Sequence, residues 1–403
     1  MSTIGKPERS TQNRVIALFR DQLKYRYLGD RSDRPHNSNI EEDLLGAHLM
    51  QAGYSMEQIS RAIYLLRLEV DNTNRSLYDN NRAVYGLLRY GVPVKIEAGK
   101  VTETVELIDW EHPEANDFVI VEEVTLRGSL ERRPDLVLYV NGIAIGVIEL
   151  KNSYVSIGDG IRQLLSNQLK EFNEWFFTTV QIVFAGNDSE GLKYGTIRTP
   201  EKMFLRWKED EADDAGFKLD KYLLKMCSKD RLIELMHDFV LFDGGIKKLP
   251  RMHQYFGIKA SRLRVLAYQG GIIWHTQGSG KSIVMVLLAK WILENLPKAR
   301  VLILTDRDEL DKQIKRVFND AGEDIYRTSS GHDLMKQLGQ TAPRLLCSLV
   351  HKFGKKDVDG CAEPRRKPHL ISSGCCRKGR QICRQIGSPG AFLSMSQDNR
   401  RSD

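Results

Sequence analysis

The eight residues His275–Ser282, HTQGSGKS, restrict the fold more than any other stretch of this chain. They follow the apolar run Gly271–Trp274 and precede a helical stretch, KSIVMVLLAKWILENL. A strand, a Gly-rich turn and a helix in that order place backbone N–H groups around an anion at a helix N-terminus. Gly278 and Gly280 let the loop turn inward with Ser279 between them. Lys281 then reaches the β- and γ-phosphates of a nucleotide, and the Ser282 hydroxyl can ligate its Mg²⁺. The general pattern G-x4-G-K-[ST] asks for glycine at 275, where this chain has His275. The rhythm continues through ARVLILTD, DELDKQIKRVF and RLLCSLV, alternating strand and helix, which argues a parallel α/β sheet. It stops near Asp359 after about three strands. No apolar strand there ends in the Asp-Glu pair that hydrolysis would need to hold Mg²⁺ and position a water.

Upstream the patterning differs. IEEDLLGAHLMQAGY sets Ile40, Leu44, Leu45, Leu49 and Met50 near one helical face, and Ser55 with Gln58 forms a capping-box pattern for a second helix. Residues 1–35 are polar and basic and are expected to be poorly ordered. Beyond Val92 come β-rich stretches, VPVKI, DFVIVEEVTL, DLVLYV and IAIGVIELK, then an amphipathic helix over about Gly160–Phe177 and a further strand, VQIVFA. Helical residues run from Lys221 to Phe242.

Two of those strands flank Asn141-Gly142, a strong hairpin signal, and carry Asp135, Glu149 and Lys151. A two-residue turn pairs Val140 with Ile143 and turns Asp135 away from Glu149. A three-residue loop with Gly142 left-handed pairs Tyr139 with Ile143 and Asp135 with Val147, which brings all three polar residues to one face. The three-residue loop is therefore expected. Two acids at close range need a cation between them, and hard Mg²⁺ prefers oxygen ligands. Asp135 and Glu149 are the candidate metal ligands, and Lys151 can orient an attacking water against a phosphodiester.

The net charge of +7 resides mostly in the last 44 residues, where nine Lys/Arg face three Asp/Glu; the preceding 359 residues are nearly neutral. Bulk charge gives no argument for DNA binding there, but Arg127, Arg132 and Arg133 form a local cluster that could contact phosphate. Cys227 and Cys347 are the only cysteines before residue 360, as a reducing cytosol favours. The other four lie at 361, 375, 376 and 383 without the C-x2-C spacing of a zinc site. The longest apolar run, Ile283–Ala289, is seven residues, and the N-terminal sequence lacks a secretory core, so membrane and exported classes are excluded and a cytoplasmic protein is expected.

RRPDLVLYVNGIAIGVIELKN, SNQLKEFNEWFFTTVQIVFAGN, KKLPRMHQYFGIKA, GGIIWHTQGSGKS, VLILTDRDELDKQI and CSLVHKFG together resemble the N-terminal part of the restriction subunit of type I restriction–modification enzymes. The resemblance implies an α/β chain: a PD-(D/E)xK nuclease domain, a mixed sheet flanked by helices, over residues 36–242, then an incomplete RecA-like parallel lobe of the superfamily 2 helicase type over 243–359. It makes Asp135, Glu149 and Lys151 the nuclease triad and Glu41 or Glu42 the acid of the first helix. Gln254 becomes the adenine-reading glutamine. The family's Gln-x3-Tyr motif maps to Gln168, with Phe172 at the tyrosine position, so Gln168 joins Arg132 and Arg133 as a candidate DNA contact. The implied cofactors are Mg²⁺ and ATP. The implied partners are double-stranded DNA and the methylation and specificity subunits of the complex, which together drive ATP-dependent translocation and cleavage. From Gly360 the text changes character, which suggests a truncated or frameshifted chain with an unstructured tail over 360–403. On that reading the alternative to a nuclease is a non-catalytic ATP- or DNA-binding fragment, or a non-functional remnant.

Overall fold

The computed structural model describes residues 6–96, 99, 101–209, 216–352, 369–373 and 391–395. The chain divides into two units, residues 1–240 with 245–251 and residues 241–244 with 252–403. None of the helices among the described residues is long and apolar enough to cross a membrane.

The first unit opens with a helix where sequence patterning suggests disorder. α1 (Lys6–Asp21) leads into strand β1 (Arg26–Asp30), which pairs parallel with the strand Phe118–Glu122 at the sheet edge. Val15, Ile16, Leu18 and Phe19 of α1 are buried. Their i, i+3, i+4 spacing occupies only the last turns of the helix, and the polar first half masks it. Three helices follow: α2 (Glu42–Gln51), α3 (Met56–Val70) and α4 (Leu77–Tyr90). Ser55 and Gln58 form the expected capping box at the start of α3. Leu45 and Leu49 of α2 are buried, whereas Met50, placed near the same face by the sequence, is exposed. A small hairpin, β2 (Val92–Val94) and β3 (Glu103–Val105), precedes the central strands.

Those strands are β4 (Phe118–Glu122), β5 (Leu136–Val140) and β6 (Ile143–Leu150), joined antiparallel. Helix α5 (Ile157–Asn167) crosses over to β7 (Ile182–Asn187), which lies parallel to β6, and β8 (Gly191–Gly195) and β9 (Leu205–Arg206) complete the sheet. The order is β1-β4-β5-β6-β7-β8-β9. β5 and β6 are buried along their whole length, which explains why they read as nearly unbroken apolar runs. α5 is shorter than its periodicity suggests. The Asn173 N–H donates to the Asn167 carbonyl at 3.1 Å, closing an irregular loop where the helix would have continued. Two helices, α6 (Lys218–Met226) and α7 (Lys229–Asp238), replace the single helical stretch expected over 221–242. Short strands β10 (Leu241–Asp243), assigned to the second unit, and β11 (Ile246–Lys248), assigned to the first, follow.

After β10, the second unit continues with α8 (Met252–Leu266) and β12 (Gly271–Ile272), then α9 (Lys281–Asn295), β13 (Val301–Thr305), α10 (Asp308–Asp320), β14 (Tyr326–Arg327), α11 (Gly331–Leu338) and β15 (Leu345–Leu349). The parallel α/β expectation holds. It also extends further than the sequence suggests, because β16 (His369–Ser373) and β17 (Ala391–Met395) lie in the segment expected to be unstructured. The sheet order is β12-β16-β17-β13-β15-β14, and every pairing is parallel. HLISS and AFLSM are five-residue runs, too short for periodicity to separate them from their basic surroundings.

The hairpin between β5 and β6 departs from the expected register. Val140 pairs with Ile143, so the turn has two residues, with Asn141 at φ 52° and Gly142 at φ 80°. A bulge then shifts the pairing from Tyr139–Ala144 to Leu138–Gly146, which leaves Ile145 as the extra residue. Leu136 therefore lies opposite Ile148. A Cβ at Gly142 would meet the Glu41 carbonyl oxygen at 2.6 Å and Leu44 Cβ at 2.8 Å. Gly142→Ala is accordingly expected to destabilise the first unit by about 2 kcal/mol or more, measured as a lower denaturation midpoint, whereas Gly216→Ala, whose Cβ would meet nothing within 4 Å among the described residues, is expected to cost less.

Candidate active site

The bulge is what brings the three polar residues together. One step beyond Leu136–Ile148, Asp135 stands across from Glu149, and both face the same side of the sheet. The Leu150 N–H donates to Asp135 Oδ2 at 2.6 Å, and the Glu123 N–H donates to the Asp135 carbonyl at 2.9 Å. Lys151 Nζ is 3.9 Å from Glu149 Oε2, and its backbone N–H is held by the Gly186 carbonyl on β7. Glu149 is fully buried. Asn167, the last residue of α5, donates to its Oε1 at 3.5 Å, while Oε2 has no hydrogen-bond partner among the described residues.

A fourth group arrives from α1. Glu8 Oε1 lies 3.4 Å from Lys151 Nζ. Gln12, one turn further on, donates through Nε2 to Glu123 Oε1 at 3.0 Å, Glu122 Oε2 at 3.2 Å and the Asp135 carbonyl at 3.4 Å. Arg9 pairs with Glu122 at 2.7 Å. The helix that patterning missed thus closes one side of the site. Glu41 and Glu42, named for the first-helix acid, are engaged elsewhere: Glu41 with Arg31 and Arg34 at 2.8 and 2.7 Å, Glu42 with Arg67 at 2.9 Å. Glu8, by contrast, reaches Lys151. Its signal is the run Val15–Phe19 behind it, which continues a helical face back toward Glu8.

The candidate DNA contacts separate into two kinds. Gln168 is buried, its Nε2 donating to the Leu164 carbonyl and its Oε1 accepting from the Arg198 N–H at 2.6 Å, so both ends of its amide are used within the fold. Arg132 lies over the Phe172 ring with 3.8 Å to the centroid. Arg133 is exposed and bonds Thr125 Oγ1 at 3.1 Å.

Burial dominates the electrostatics. It raises Asp135 to about 6, the nearby Lys151 charge opposing the rise, and it lifts Glu149 well above the usual carboxylate range with the Asp135 charge adding to the effect. For Lys151 burial acts downward, but Glu149, Asp135 and Glu8 outweigh it and its pKa is raised. Two acids that resist ionising side by side, one with a buried oxygen lacking a partner, fit a divalent cation that takes two protein carboxylates and fills its remaining positions with water and phosphate oxygens.

In the second unit the loop is built as the motif suggests. Gly278 and Gly280 have φ of 75° and 81°, and α9 starts at Lys281. Lys281 Nζ donates to the Thr276 carbonyl at 3.2 Å, as does Ser279 Oγ at 2.7 Å; Ser282 occupies the first turn of the helix. Gln254 on α8 donates to the carbonyls of Ser279 at 2.9 Å and Gly280 at 3.2 Å, so it braces the loop. His253 also reaches the Ser279 carbonyl, and its ring meets His275 edge to face at 4.9 Å. His275 thus packs against α8 at the position where the general motif has glycine.

Residues 6–202 match the family described as type I restriction enzyme R protein N terminus, and residues 253–380 match the SWI2/SNF2 ATPase family. Most of the first unit thus matches the type I restriction R-protein family. A putative type I restriction enzyme MjaIXP endonuclease subunit of Methanocaldococcus jannaschii is 27% identical over 75% of this chain and 32% of its own length. The type I restriction enzyme HindI endonuclease subunit of Haemophilus influenzae is 31% identical over 64% of this chain and 26% of its own. The chain thus spans about a third or less of the length of these R-protein relatives. The UvsW helicase of bacteriophage T4 overlaps 41% of this chain and 59% of its own at 16% identity and a TM-score of 0.29. The ATPase match runs past Asp359, where the resemblance was expected to end, and takes in β16.

The raised carboxylates of this R-protein unit have a consequence for stability. Between the unfolded value of 3.8 and the folded value of about 6 for Asp135, the folded state holds a proton that the unfolded state has released. Metal-free stability should therefore fall as pH rises from about 4 to about 7. Asp135→Asn is expected to stabilise the metal-free protein at pH 7.5 by about 1–3 kcal/mol and to abolish any rise in melting temperature on adding Mg²⁺. Thermal melts with a chelator and with excess Mg²⁺ check both.

Proposed function

We propose that this chain is the DNA-cutting part of a type I restriction endonuclease subunit, hydrolysing DNA phosphodiester bonds with Mg²⁺ held by Asp135 and Glu149, and that its second unit binds ATP. The observation that carries the reading is the buried pairing of Asp135 with Glu149 beside Lys151. Mg²⁺ bound there would supply the positive charge that neutralises a phosphodiester oxygen and makes a coordinated water more acidic. The protein's own groups do the positioning. The Leu150 N–H fixes the Asp135 carboxylate, and the Asn167 amide steadies Glu149. Lys151 stays protonated and can donate to an attacking water or to a phosphate oxygen, with Glu8 and Glu149 on either side limiting its swing. Burial of Asp135 and Glu149 strengthens the electrostatic interactions among these groups.

The intended substrate is double-stranded DNA in the cytoplasm, approached across the face that carries Arg132 and Arg133. In the second unit Lys281 and the N–H groups at the start of α9 suit the phosphates of ATP, Ser282 suits its Mg²⁺, and Gln254 links that loop to α8. Coupling to methylation and specificity subunits is what the relatives' class implies.

A Mg²⁺-dependent nicking assay on supercoiled plasmid tests the nuclease reading. Asp135→Ala and Lys151→Ala are each expected to lower nicking by at least about a hundredfold, while Lys281→Ala leaves nicking in place and weakens ATP binding. Equal nicking by the unsubstituted chain and Asp135→Ala would contradict the proposal.

A further inference from the structure

Three residues beyond Lys151 the chain presents Tyr154, 94% exposed and the most exposed large apolar side chain recorded among the described residues. Single exposed apolar residues are ordinary on protein surfaces. The anchoring of the backbone on both sides sets this one apart. The Tyr154 N–H donates to Asn152 Oδ1 at 2.9 Å, and the Val155 N–H donates to the Asn152 carbonyl at 3.0 Å, which places Tyr154 in a tight turn. Ser189 Oγ donates to the Ser153 carbonyl at 3.0 Å, and the buried Asn187 donates through Nδ2 to the Val155 carbonyl at 2.8 Å. The carbonyls before and after the tyrosine are thus tied to the end of β7 and the turn that follows it. The Lys151 N–H is tied to Gly186 on the same strand end. The loop and the site lysine therefore share one rigid support, and the ring is the part left outside it.

Chain reach limits the Cα of Tyr154 to about 11 Å from that of Lys151, a distance of about three nucleotides along one DNA strand at ~3.4 Å each. A ring held at a fixed place on the rim of a phosphodiester site, with its faces free, has the chemistry to stack on a base or pack on a sugar, a contact available to any sequence. We propose that Tyr154 is a nucleic-acid contact that packs against the DNA strand held beside Lys151 and sets its position relative to the triad. The proposal rests on the nuclease reading.

The test uses the full chain, with Ca²⁺ replacing Mg²⁺ so that DNA is bound without being cut, and a short gapped duplex carrying 2-aminopurine in the gap. The unsubstituted chain is expected to change the probe's fluorescence on binding. Tyr154→Ala is expected to lose that change and to bind about tenfold more weakly, the lower part of the range for base–aromatic stacking, with an unaltered melting temperature. Tyr154→Phe and Tyr154→Trp are expected to retain both. Tyr154→Ala with unchanged fluorescence and affinity would overturn the contact, and if the unsubstituted chain also nicks plasmid with Mg²⁺ the nuclease reading survives that failure. A chain that binds and shifts the probe through Tyr154 yet never nicks would leave the contact standing and sink the nuclease reading. Absence of DNA binding would overturn both.

Discussion

Two carboxylates buried on adjacent strands, with a single lysine to answer them, are the constraint around which the first unit is organised. Like charges in a poorly solvated setting repel strongly, and burial alone already disfavours their ionised forms. The fold answers with position. A bulge at Ile145 turns Asp135 to face Glu149, the Leu150 N–H holds one acid and Asn167 the other, and α1 adds Glu8 on the far side of Lys151. Without a cation the arrangement opposes stability, and the proposed Mg²⁺ would offset that cost.

How much of this was legible in the sequence depended on which physical signal each part rested on. Apolar runs on both sides of Asn141-Gly142 revealed the hairpin, and the requirement that polar residues share a face implied convergence. The register was not legible. A two-residue turn followed by a bulge satisfies the same requirement as a three-residue loop, and nothing in Ala144-Ile145-Gly146 marks Ile145 as the extra residue. Ser55 and Gln58 were legible because a capping box is local. Glu8 was not, because its place depends on α1 docking against strands more than a hundred residues away. Gln168 was read from a motif, and its amide is spent on Leu164 and Arg198 within the fold.

The second unit shows the converse. Its phosphate loop is encoded within a dozen residues, and left-handed glycines at 278 and 280, followed by a helix from Lys281, match that expectation. What surrounds the loop was less legible. Gln254 braces the loop's carbonyls, and a Cβ at Gly280 would meet its amide nitrogen at 2.4 Å. β16 and β17 enter the parallel sheet from a stretch whose charge and cysteine content suggested no structure. Composition reports what a segment can solvate, whereas sheet membership is decided by pairing partners far away in the chain.

Burial raises the pKa of both Asp135 and Glu149, so a cation taken up by the pair is expected to displace a proton. Calorimetric titration of the chain with Mg²⁺ at pH 6.5, repeated in buffers of different ionisation enthalpy, counts the protons released on binding. About one proton is expected to be released per Mg²⁺ bound to the first unit, with that component absent in Asp135→Asn. Binding to the first unit without proton release, or release unaffected by Asp135→Asn, would contradict it.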